Sequence, residues 1–140
     1  MYLYHYLINL SVIDSKYVSS DEPGVEGKEV EFVPKYNIKY GIKFGYKNYT
    51  SYLQYSYLSS QFSDSSNSIE SNLSGVIGQI PAYGILDLSM NYKFGKIKLE
   101  TGINNILNNF YFTRRATGYP GPGIIPSPPR NYYLTLQYKF

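Results

Sequence analysis

Lys35-Tyr36-Asn37-Ile38-Lys39-Tyr40-Gly41-Ile42-Lys43-Phe44-Gly45-Tyr46-Lys47 alternates without a break. Tyr36, Ile38, Tyr40, Ile42, Phe44 and Tyr46 fall on one face, while Lys35, Asn37, Lys39, Gly41, Lys43, Gly45 and Lys47 fall on the other. A helix would spread these lysines around its axis, whereas a strand collects them on one side, so the stretch predicts a strand with one apolar and one basic face.

The same period recurs along the chain. At the C-terminus Tyr132, Leu134, Leu136, Tyr138 and Phe140 oppose Tyr133, Thr135, Gln137 and Lys139. Residues 83–95 set Leu86, Leu88, Met90, Tyr92 and Phe94 against Asp87, Ser89, Asn91 and Lys93. Residues 96–104 set Ile97, Leu99, Thr101 and Ile103 against Lys96, Lys98, Glu100 and Asn104. Residues 49–59 and 2–14 complete the set, the latter with Tyr2, Tyr4, Tyr6, Ile8, Leu10 and Val12 on one face. Six antiparallel strands are expected, at about 2–14, 35–47, 49–59, 83–95, 96–104 and 130–140. Each approaches the roughly 9 to 11 residues that a tilted strand needs to cross a bilayer.

The connections alternate in length. Strands two and three join near Lys47 and Asn48, and strands four and five through Gly95 and Lys96, but the other links run 15–34, 60–82 and 105–130. Short turns at one rim and long loops at the other are the pattern of an outer-membrane β-barrel. On that reading Tyr2, Tyr46, Tyr49, Phe94 and Tyr138 form one aromatic girdle, and Tyr36, Tyr57, Tyr83 and Tyr132 the other. The fold class expected is all-β, an incomplete transmembrane barrel, because about eight strands are the fewest that close around inward side chains. A soluble up-and-down barrel is the competing architecture.

Composition agrees with a barrel wall. The 140 residues contain 18 tyrosines, no tryptophan, no cysteine and one histidine, His5, and charged residues reach only 16%, against about 25% in an ordinary soluble domain. Without cysteine or a histidine cluster, disulfides, thiolate nucleophiles and the usual transition-metal sites are not expected. No nucleophile is paired with a base, so no enzyme and no cofactor are expected. Asp87 and Glu100 are expected to neighbour each other across the hairpin of strands four and five as part of a charge network. No nucleic-acid partner is implied. No basic n-region and cleavage site open the chain, which is expected to be part of a longer one.

Three stretches resemble TonB-dependent outer-membrane receptors. Gly102-Ile103-Asn104-Asn105-Ile106-Leu107-Asn108-Asn109-Phe110-Tyr111 is similar to a signature near the C-terminus of that family. Phe112-Thr113-Arg114-Arg115-Ala116-Thr117-Gly118-Tyr119-Pro120-Gly121-Pro122-Gly123 resembles the last extracellular loop of the ferric dicitrate type. The strand ending in Phe140, carrying Tyr132, Leu134, Leu136 and Tyr138, resembles the signal read by the barrel assembly machinery.

The resemblance implies a receptor in the bacterial outer membrane, embedded in lipid, that imports a ferric chelate such as iron(III) dicitrate or a siderophore. A TonB complex would supply energy through an N-terminal plug, which these residues do not include. Arg114, Arg115 and Tyr119 are the candidate ligand contacts, since a guanidinium fork takes a carboxylate bidentately. Lys35, Lys39 and Lys43 lead a basic lumenal face suited to drawing in anionic cargo. The alternatives are a small independent barrel or pore closed by oligomerisation, and a gene remnant without function.

Overall fold

In the computed structural model, which describes residues 2–118 and 121–140, six long strands form one antiparallel sheet. They are β1 (Tyr2–Val12), β2 (Tyr36–Tyr46), β3 (Tyr49–Leu58), β6 (Tyr83–Phe94), β7 (Ile97–Asn104) and β10 (Asn131–Tyr138). Each ends within two residues of where the alternation runs. Four short strands lie inside the long connections: β4 (Gln61–Phe62), β5 (Gln79–Ile80), β8 (Phe112–Ala116) and β9 (Gly123–Pro126). No helix occurs among the described residues.

The sheet order is β1-β2-β3-β6-β7-β10, and β1 does not pair with β10, so the sheet is open. Two tight turns set its register. Tyr46 faces Tyr49 and Phe94 faces Ile97, and the first residue of each two-residue turn, Lys47 at φ 50° and Gly95 at φ 56°, adopts the positive φ that matches the twist of the flanking strands. With register fixed, His5, Lys43, Tyr52, Ser89, Gly102 and Tyr133 stand in one row across all six strands. On the opposite face Tyr2, Tyr46, Tyr49, Tyr92, Leu99 and Leu136 do the same. Tyr2 stacks on Tyr46 with ring centroids 4.6 Å apart.

Tyr83 departs from the girdle expected of it. Its register partner is Leu58, which places it on the face of Ser11 and Asn37, where its ring lies 4.7 Å from that of Tyr111. Odd-numbered β6 residues all share the polar face, so parity alone excludes Tyr83 from the apolar one.

Two tyrosines of the polar face lie across glycines of a neighbouring strand. A Cβ on residue 41 would meet the Tyr52 hydroxyl at 2.5 Å, and one on residue 102 would meet the Tyr133 ring at 2.5 Å and the Leu88 carbonyl oxygen at the same distance. The glycines therefore make room for rings that close over the backbone.

The buried core does not lie within the sheet. Apart from the strand glycines 41, 45, 84 and 102, the buried residues Val25, Gln61, Ile80, Asn105, Arg115 and Ala116 belong to the long loops, with Ile85 just beneath them. The apolar sheet face is uncovered: Ile8 is 80% exposed, Leu134 72% and Leu136 71%. Such a continuous apolar surface cannot rest in water and suits the hydrocarbon of a bilayer.

Candidate functional site

The three long connections pack against one another at one end of the sheet. Residues 13–35 and 59–82 are tied by the Phe32 N–H, which donates to the Phe62 carbonyl at 2.9 Å. Asn67 clamps the same two segments: its Oδ1 accepts from the Glu29 N–H at 2.7 Å, and its Nδ2 donates to the Glu29 carbonyl at 2.8 Å. Inside the first loop the Tyr17 hydroxyl donates to the Glu31 carboxylate. That bond, then desolvation and the nearby charges of Glu31 and Glu22, raise the Tyr17 phenol above its ordinary range.

The third loop, 105–130, starts from an asparagine knot. Asn105 is 2% exposed and adopts φ 53°, a left-handed conformation that asparagine tolerates better than most residues. Its N–H donates to Asp87 Oδ1 at 2.9 Å, its Nδ2 donates to the Asn109 carbonyl at 2.9 Å, and its Oδ1 accepts from the Asn109 N–H at 3.0 Å. Asn109 Nδ2 reaches the Gly84 carbonyl at 2.7 Å, and Asn108 Oδ1 accepts from the Arg130 N–H at 3.0 Å. These bonds end β7, pin the loop to β6 and prepare its return into β10. Asp87 is engaged in this knot and is not a neighbour of Glu100, because Glu100 pairs in register with Asn91. The two acids are therefore not neighbours across the hairpin, and Glu100 pairs instead with Lys98.

Arg114 and Arg115 are held differently. They are consecutive in β8, and successive strand residues point to opposite sides. Arg115 is 6% exposed; its Nη1 donates to the Gly75 carbonyl at 2.8 Å and its Nη2 to the Gln79 carbonyl at 2.9 Å, and its guanidinium lies 5.2 Å from the centre of the Phe112 ring. It binds the second loop to the third through one donor on each terminal nitrogen. Arg114 is exposed, and both arginines border a crevice of about 750 Å³ shared with Phe32, Asp64, Ile77 and Thr117, residues of all three loops. Tyr119 lies outside the described residues.

Lys39 and Lys43 stand on the polar face, in register with Ser56 and Tyr52 respectively. Lys35 sits just before β2; its carbonyl accepts from the Ile13 N–H at 3.0 Å, and its ammonium lies 5.9 Å from the Tyr36 ring centre. In β10 Tyr132, Leu134, Leu136 and Tyr138 share the apolar face, and Phe140 beyond the strand meets Tyr138 edge to face at 5.2 Å. The sequence reading missed Asn105, Asn109 and Asn67, although a left-handed turn was legible in the asparagine-rich run 104–109.

An uncovered apolar face, a polar face with lysines, short turns at one rim and interlocked loops at the other define the wall of an outer-membrane β-barrel. Residues 2–106 match the family model described as TonB dependent receptor-like, beta-barrel. The chain belongs to that family, whose members are transport proteins of the Gram-negative outer membrane. Among solved structures, the unliganded ferric citrate transporter FecA matches with a TM-score of 0.77 and 31% identity over 85% of this chain and 19% of its own. The siderophore receptor PiuA of Acinetobacter baumannii matches with a TM-score of 0.77 at 18% identity, covering 98% of this chain and 20% of PiuA. The ferric yersiniabactin uptake receptor FyuA of Yersinia pestis gives 0.78 at 17%, covering 98% and 21%. The chain thus spans about a fifth of the length of these proteins.

Proposed function

We propose that the chain is the C-terminal wall and loop segment of a receptor that takes up a ferric chelate, with ferric citrate the first candidate and a siderophore the next. The observation that carries this reading is the division of labour in β8: Arg115 fixes the loops to one another, which leaves Arg114 held at a crevice lined from all three. An arginine held this way can fork onto a carboxylate without first ordering its own loop. The 31% identity to a ferric citrate transporter supports citrate over other chelates. Energy would come from a TonB complex acting on a plug supplied by the rest of the receptor, and β10 would be the strand read by the assembly machinery.

Binding and uptake of labelled ferric citrate by cells carrying Arg114→Ala in the whole receptor test the proposal. A hydrogen bond to a charged group contributes about 1.5–3 kcal/mol, so affinity should fall by about 10- to 100-fold, with Arg114→Lys recovering only part of it. Unchanged affinity in Arg114→Ala would remove the residue from the site, and uptake of a siderophore but not of ferric citrate would change the cargo.

A further inference from the structure

The turn end of the polar face carries a second concentration of charge that the loop cluster does not use. Lys43, Lys47, Lys93 and Lys98 line one crevice of about 580 Å³ together with Glu100. Register sets Lys93 directly opposite Lys98, and like charges facing each other across a ladder repel. Glu100 pairs with Lys98 and is the only acid side chain lining the crevice. Lys96 and Lys139 extend the band into the adjoining crevice, which Lys93 and Lys98 also border. Six of the chain's ten lysines therefore gather in the last rungs and turns at this end, whereas eight of its ten acids lie in the long loops at the other.

A repulsive pair answered by one carboxylate is relieved by a bound anion. Neutral groups that can share hydrogen bonds with one are in place, since Thr50, Asn91 and Asn48 line the same crevice. The Lys93 N–H donates to the Asn48 carbonyl at 3.0 Å, so the strand that carries Lys93 is tied to the turn that carries Lys47. The volume is that of a small-molecule site. We propose that this crevice binds a compact polyanion bearing two or more phosphate or carboxylate groups, with Lys93 and Lys98 on one anionic group and Lys47 and Lys43 reaching the next.

The test uses the whole receptor that contains this chain, purified in zwitterionic micelles, its lysines carrying ¹³C-methyl labels that keep their charge, titrated with pyrophosphate and separately with citrate. The expected result is saturable shifts at Lys93 and Lys98 with either anion, none at Lys16 and Lys28 in the distant loops, at least a tenfold weakening in Lys93→Gln and in Lys47→Gln, and retention in Lys93→Arg. Saturation with only one of the two anions supports the site and assigns its chemistry to phosphate or to carboxylate. No saturable shift, equal shifts at the loop lysines, or undiminished affinity in Lys93→Gln would overturn the proposal.

Discussion

Arg115 gives its two terminal nitrogens to the carbonyls of Gly75 and Gln79, in a loop that its own strand does not otherwise pair with. Removing it leaves two carbonyls without their charged donor, and two such bonds together are worth about 3 kcal/mol. Arg115→Ala should therefore raise the rate of proteolytic cleavage within residues 59–82 by about a hundredfold, since cleavage tracks the free energy of local opening. Arg115→Lys should restore little of the protection, because one ammonium cannot reproduce the fork. The first loop responds to a different variable. The Tyr17 phenol is held above its ordinary value by its bond to Glu31. A raised folded-state value means that the contribution of this bond is complete below the ordinary phenol value of about 10 and is lost as pH rises through the raised one. Absorbance titration of the phenolate together with proteolysis of residues 13–35 should show the loop loosening only in that alkaline window, and Tyr17→Phe should abolish the pH dependence.

At the scale of elements, the glycines of the polar face are not equivalent. The three atoms nearest a Cβ at residue 41 all belong to the Tyr52 side chain, which can swing aside, but one at residue 102 would also meet the Leu88 backbone oxygen at 2.5 Å. Gly102→Ala should lower the urea midpoint of the whole receptor clearly, by the equivalent of about 1–3 kcal/mol, and Gly41→Ala by less; equal effects would show that ring packing, not backbone approach, sets the cost. The long strands were legible because register leaves each residue only two directions and 35–47 commits every one of them. The loops were less legible. The tie that Arg115 makes between two loops was not legible, because β8 has only five residues with a register shift between Phe112 and Arg114, and its partners Gly75 and Gln79 lie in another loop. Asn67 gave no signal, because its partner Glu29 lies 38 residues away in another loop. Tyr83 was misplaced by counting aromatics at a rim without carrying parity through β6.

For the whole molecule, the edges of the sheet matter most. β1 and β10 each present one unpaired side, and within a bilayer unpaired backbone groups cost several kcal/mol each. The sheet therefore requires further strands, and a chain spanning about a fifth of its structural relatives would find them in the remainder of a receptor barrel. The direct test is an immunoblot of outer-membrane fractions from iron-starved cells, with antibody raised against the acidic loop 14–31. The account predicts a band several times heavier than the 16.1 kDa of this chain. A stable membrane species at 16.1 kDa would contradict it and would mean that copies of this chain close the sheet on themselves.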